Sequence, residues 1–111
     1  MDLIKARKRY LPMSETMFYI LASFRQERHG YGIMLEVADR TGGRIKLGAG
    51  TVYQSLSKLE GDGLIQPTRE VDRKKQYQMT ALGKVILEEE SRRILALGEL
   101  ARDVLGTQGK A

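Results

Sequence analysis

The sequence predicts a mainly α fold with one small β hairpin. Three observations carry that prediction. Apolar residues recur at helical spacing in four blocks between Ser14 and Leu105. Between Leu64 and Thr80 the spacing shortens to alternation, the period of a strand. Proline and glycine mark the joints, at Pro12, Gly30, Gly43, Gly48 and Gly63. A chain of 111 residues without internal repeats suits one small core.

Residues 1–13 read as a basic N-terminal arm closed by Pro12. Ser14 is placed to cap a first helix, in which Met17, Ile20, Leu21 and Phe24 share one face. That helix is expected to run into "RQERHG" and stop at Gly30. A second helix spans Tyr31 to about Arg40. Its apolar residues Ile33, Met34, Leu35, Val37 and Ala38 cover a wide arc, so it is largely buried. A lone histidine beside a turn glycine, His29, reads as a structural or capping residue.

The third helix lies within "GAGTVYQSLSKLEGDGLI", Gly48 to Ile65. At about 100° per residue, Val52, Leu56 and Leu59 fall in one narrow arc. Thr51, Gln54 and Lys58 lie opposite, with Ser57 and Gly61 beside them, so the outer face carries no large apolar group. Next come two extended pieces, "LIQPTRE" and "KQYQMT", around the polar turn "VDRKK". Pro67 cannot donate to a ladder and makes its strand irregular or an edge. Tyr77 is expected to face the core, with Gln76 and Gln78 turned outward.

Thr80 caps a last helix that reaches about Leu105. Leu82, Val85 and Ile86 form its first apolar patch. Leu87, Ile94, Leu97, Ala101 and Val104 then follow a heptad-like spacing, interrupted by Glu90. No later chain is left to cover this seam, so a second copy is its expected partner. Glu88, Glu89 and Glu90 read as a solvated face pairing with Arg92 and Arg93. The expected organisation is a basic arm over 1–13, a winged helix-turn-helix over 14–80, a dimerisation helix over 81–106 and a disordered tail over 107–111.

Composition narrows the function. Hydrophobic residues make up 41% and charged residues 30%, the balance of a soluble globular domain. There is no apolar run of membrane-spanning length and no apolar signal core after Met1, so the expected compartment is the cytoplasm. Zero cysteines exclude disulfides and thiolate chemistry. With one histidine, no phosphate loop and no metal-spaced cluster, no catalytic residue, metal or cofactor is expected. The net charge of +5 suits a polyanion. Its excess concentrates in Lys5, Arg7, Lys8 and Arg9 of the arm and in Arg69, Arg73, Lys74 and Lys75 of the hairpin.

Three short helices followed by a two-stranded wing are the order of a winged helix-turn-helix. A B-form major groove admits one α-helix, and the inserted face must be lean. Thr51, Gln54, Ser57 and Lys58 meet that need. Arg73, Lys74 and Lys75 at the wing tip suit a neighbouring backbone. Tyr53, at the edge of the apolar arc, either packs there or offers its hydroxyl to a phosphate. Tyr31 opens a buried helix, with a phosphate contact also open to it. Thr51 either caps the helix or meets a phosphate. Double-stranded DNA is the expected partner. The alternative is a winged-helix module that binds proteins without specific DNA binding.

Four stretches carry a resemblance to one family. "HGYGI" opens the second helix. "GAGTVYQSLSKLEGDGLI" is similar to a Gly-Ser/Thr-x-Tyr helix ending in Leu-Glu-x-x-Gly-Leu-Ile. "RKKQYQMTALG" resembles a wing strand followed by Tyr-x-Leu-Thr-x-x-Gly. The last helix resembles a dimerisation helix. Together they resemble the small PadR family regulators. The resemblance implies a homodimeric DNA-binding repressor, with release by a small hydrophobic or aromatic ligand held between the last and first helices. Gln54 stands where the family pattern has proline. The chain has no tryptophan, which some small members use on the last helix to hold planar compounds.

Overall fold

The computed structural model describes residues 1–109. Among them the elements run α1 (Leu3–Tyr10), α2 (Glu15–Ser23), α3 (Gly30–Arg40), α4 (Ala49–Gly61), β1 (Ile65–Val71), β2 (Lys74–Met79) and α5 (Ala81–Gly109). The fold is mainly helical with a two-stranded antiparallel wing and a long last helix, as the sequence predicts.

The segment expected to be an arm is instead helix α1. Asp2 caps it by accepting the Lys5 N–H at 2.8 Å. Ala6 and Tyr10 are buried, and Leu3 packs against the same core. Two of the four cations of this segment are held by acids far along the chain. Arg7 forms a two-pronged pair with Glu89, with Nε to Oε1 and Nη2 to Oε2 both at 2.9 Å. Arg9 Nη1 meets Asp62 Oδ1 at 2.7 Å.

Ser14 caps α2 as expected, its hydroxyl oxygen accepting the Met17 N–H at 3.1 Å. The helix stops at Ser23, well before Gly30. The wing is the reason. Arg28 and Tyr77 exchange backbone hydrogen bonds of 3.0 and 2.8 Å, and Met79 N–H donates to the Phe24 carbonyl at 2.9 Å. These bonds draw the α2–α3 connection alongside β2. Gly30 therefore opens α3 rather than ending α2. His29 caps α3, Nδ1 accepting the Gly32 N–H at 3.1 Å.

Val52, Leu56 and Leu59 anchor α4 in the core, all buried. Gly63, at φ +79°, then turns the chain into β1. The strands pair from Ile65 with Met79 to Val71 with Lys74, and the register breaks between Pro67 and Glu70. The turn is tighter than expected: only Asp72 and Arg73 lie outside the strands, at φ 52° and 64°. Two consecutive positive values are those of a type I′ hairpin turn. Tyr77 packs edge-on against Phe24, with ring centroids 6.2 Å apart. Gln76 departs from the expected alternation. It is buried, and its amide donates to the Lys74 carbonyl at 3.3 Å.

Thr80 joins wing to last helix. Its hydroxyl donates to the Gly63 carbonyl at 2.6 Å and accepts the Gly83 N–H at 3.1 Å. A Cβ at Gly83 would collide with the Leu64 carbonyl oxygen, so glycine is needed for this approach. Ile86 and Leu87 close the core. Glu90 is not part of a solvated face. It is 1% exposed, accepts two hydrogen bonds from Arg93 at 2.6 and 2.8 Å, and accepts the Met13 N–H at 2.7 Å. Beyond Ser91 every residue to Gly106 is exposed. Of the expected disordered tail, 107–109 continue α5, and 110–111 lie outside the described residues.

Candidate nucleic-acid interface

Helix α4 presents two contrasting sides. Val52, Leu56 and Leu59 face inward, while Thr51, Gln54, Ser57 and Lys58 are exposed together on the other side. The outward ridge runs Gly50, Gln54, Ser57 and Gly61 along the axis. An added Cβ at Gly50 or Gly61 would meet nothing within 4 Å, so the ridge is open as well as lean.

Tyr53 is both packed and accessible. Its ring lies against Gly30, where a Cβ would stand 2.9 Å from Tyr53 Cε1, yet the residue stays 55% exposed. The glycine of "HGYG" is thus the gap into which the α4 tyrosine fits, a contact that the sequence reading did not pair. Tyr31, at the start of the helix expected to be largely buried, is itself 53% exposed. The wing tip leans over it, with Lys74 Nζ 5.8 Å from the Tyr31 ring centre. Lys75 Nζ stands 5.6 Å from the Tyr77 ring. Tyr31, Tyr53, Arg73, Lys74 and Lys75 therefore border one cleft of about 260 Å³ between α3, α4 and the wing. The close cation–ring contacts hold positive charge at the mouth of that cleft.

Lys58 is held differently. Its ammonium lies 5.0 Å from the Tyr10 ring centre, drawn toward α1 rather than along the outward ridge. Tyr10 donates to Asp62 Oδ2 at 2.6 Å. Burial raises the Tyr10 pKa, and the bond to Asp62 adds to the rise. Burial pushes the Asp62 carboxyl up, but hydrogen bonds from Tyr10 and Arg9 outweigh it and hold the group below its ordinary value. This network fixes the C-terminal end of α4 to α1. The sequence does not reveal it, because Arg9 and Tyr10 lie in a basic stretch that reads as an arm and their common partner Asp62 is 53 and 52 residues away.

The seam of α5 divides. Leu87 is 6% exposed and belongs to the core of its own chain, which corrects its assignment to the seam. Ile94, Leu97, Ala101 and Val104 are uncovered, and so are Leu100 and Leu105 on the adjoining arc. No described helix is long and apolar enough to cross a membrane. The described residues contain no group of three or more acids or histidines that could hold a metal ion.

Residues 18–89 match the transcriptional regulator PadR-like family, a span from within α2 to the first third of α5. The chain belongs to that family. It is a DNA-binding transcriptional regulator rather than an enzyme. The PadR-like chain is 41% identical over 85 residues to the transcriptional regulator Rv3488 of Mycobacterium tuberculosis, covering 74% of each chain. It is also similar in structure to Bacillus subtilis PadR in complex with operator DNA, at TM-score 0.60 and 27% identity, over 66% of this chain and 44% of that one. A PadR family regulator from Eggerthella lenta shares the fold at TM-score 0.67 and 23% identity, over 93% and 88% of the two chains.

Proposed function

We propose that this PadR-like regulator is a homodimeric repressor that inserts α4 into the major groove of an operator. The observation that carries the reading is that α4 presents a lean polar face while its Tyr53 borders a cleft walled by the cationic wing. Gln54, Thr51 and Ser57 lie toward the base edges, and Arg73, Lys74 and Lys75 meet the flanking phosphates. Tyr31 and Tyr53 offer their hydroxyls to the backbone beside them. Phosphate contacts set register and affinity, and base contacts set sequence choice. The exposed face of α5 from Ile94 to Val104 pairs with the same face of a second copy, and two α4 helices then serve half-sites about 34 Å apart. A regulator of this kind works in the cytoplasm, where bacterial DNA lies.

Release by a small hydrophobic or aromatic ligand is part of the proposal. A cleft of about 420 Å³ lies between α2, α3 and α5, with Phe18, Tyr19, Ala22 and Leu87 among its walls. It abuts the point where α5 leaves the core, so a ligand there bears on the angle between the dimer helix and the reading head.

The test is selection of DNA from a random pool by the purified protein, followed by band shifts across salt concentration. A selected sequence bound with affinity falling as salt rises is expected. Absence of any selected sequence, with recovery of a stoichiometric protein partner, would favour the protein-binding module instead.

A further inference from the structure

We infer that Gln54 is the residue through which α4 reads sequence, and that the base it selects is adenine. The inference rests on the proposed insertion of α4 into a major groove. It follows from what the other outward side chains are already doing. Tyr53 has its ring against Gly30. The Lys58 ammonium is 5.0 Å from the Tyr10 ring and feels the Asp62 carboxylate at the same helix end. Thr51 and Ser57 each carry one hydroxyl, which donates or accepts equally well and discriminates weakly.

Gln54 stands apart from all of these. It lies opposite the buried Val52, Leu56 and Leu59 arc, at the apex of the outward face. It is exposed, and its amide enters no hydrogen bond with another described residue. Along the ridge its neighbours are Gly50 one turn before, Ser57 one turn after and Gly61 beyond, so no bulk stands between this helix and a groove floor. A carboxamide presents one acceptor and one donor side by side. In the major groove adenine presents N6–H₂ as donor and N7 as acceptor, the matching pair. Guanine presents two acceptors there, and cytosine presents its amino donor without a neighbouring ring-nitrogen acceptor, so neither satisfies both ends of the amide.

The experiment compares wild type, Gln54→Ala and Gln54→Arg in selection from random DNA, then on a defined site. Wild type is expected to require an A·T pair at one position of each half-site. Replacing that pair by G·C, or its adenine by 7-deazaadenine, costs wild type roughly tenfold or more in affinity. Gln54→Ala is expected to lose the preference at that position alone and to keep its salt dependence, since no charge is removed. Gln54→Arg is expected to move the preference toward guanine. Unaltered base preferences in Gln54→Ala, or full wild-type affinity for the 7-deazaadenine site, overturn the adenine assignment while leaving DNA reading by the protein intact. Absence of any sequence preference in wild type overturns the insertion of α4 as well.

Discussion

The ring of Tyr53 occupies the space that a side chain on Gly30 would take, with Cε1 2.9 Å from the position of a Cβ there. Through this contact the first residue of α3 sets the approach of α4. Gly30→Ala forces Tyr53 outward and crowds Leu56 Cδ1, which stands 3.2 Å from the same point. The expected cost is about 1–2 kcal/mol of stability from overpacking, with weaker DNA binding. In a Tyr53→Ala background most of that stability cost should vanish. Urea unfolding of the four proteins of this double-mutant cycle measures the coupling. Equal penalties in both backgrounds would show that the ring is not what Gly30 accommodates.

Asp62 predicts an acid-sensitive joint between α1 and α4. Its carboxyl is held below the ordinary value by Tyr10 and Arg9 against the opposing effect of burial. A depressed folded value means that the carboxylate stabilises the fold above the ordinary aspartate pKa of about 4. That contribution is lost as pH falls through the lowered value. Asp62→Asn should therefore be less stable than wild type at pH 7, and the gap should close in acid. Tyr10→Phe should cost about 1.5–3 kcal/mol at pH 7, the range for a hydrogen bond to a charged group. Denaturant unfolding of the three proteins from pH 7 to pH 3 checks both. A gap that widens in acid would contradict the assignment.

The reach of sequence reading follows from the distance over which each residue finds its partner. Helix α4 and the existence of the wing were legible because their periodicities are local and bounded by Gly48, Gly63 and the polar run "VDRKK", whereas the tight Asp72–Arg73 turn and the burial of Gln76 were not. Helix α1 was not. Within eight residues it carries four cations, and its inward stripe is only Ala6 and Tyr10, both buried, with Leu3 partly covered. The acids that make such a basic helix stable, Asp62 and Glu89, lie 53 and 82 residues away from their arginines. Glu90 was misread for the same reason. Three adjacent glutamates look solvated, and nothing local reveals that the third accepts an N–H from Met13, 77 residues earlier. The outward polar set on α4 was readable, but the commitments of Tyr53 to Gly30 and of Lys58 to Tyr10 needed the packed chain.

Glu90 should be among the costly polar residues to remove. It is buried against the α1–α2 connection at Met13, and its hydrogen bonds from Arg93, opposed by burial and aided by the Met13 N–H, lower its pKa. Glu90→Ala leaves that N–H without its acceptor, at an expected cost of about 1–3 kcal/mol. Arg93→Ala should also destabilise, because it strands a carboxylate with little access to water. Arg92→Ala, at an exposed position one residue earlier, should cost far less. Thermal unfolding of the three variants gives the order. Equal melting temperatures for Arg92→Ala and Arg93→Ala would sink the buried-acceptor account.

The wing makes a prediction about salt. Lys74 and Arg73 are exposed at the tip of the hairpin, and no salt bridge among the described residues engages either. Alanine at either position should leave stability within about 1 kcal/mol of wild type, the larger loss falling on Lys74, whose ammonium lies over the Tyr31 ring. Each should also reduce the dependence of log affinity on log salt by about one for each phosphate contact removed. Binding titrations at four or five salt concentrations measure the slope. An unchanged slope with unchanged affinity would remove the wing from the DNA interface.

Leu87 and Leu97 lie ten residues apart on α5 and should fail in different ways. Leu87 is enclosed by its own protomer, whereas Leu97 is 57% exposed on the uncovered face. Leu87→Ala should cost about 2–5 kcal/mol in stability, as for other buried leucines. Leu97→Glu alters an exposed position outside the core, so the isolated fold should persist. In a dimer joined along α5 it would place two carboxylates in an apolar seam, where neither is paired. Sedimentation equilibrium should then show a folded monomer, with circular dichroism retaining the helical signal. Affinity for a two-half-site operator should fall sharply, because each half is then bound by a separate molecule. A Leu97→Glu protein that remains dimeric would move the interface off this face of α5.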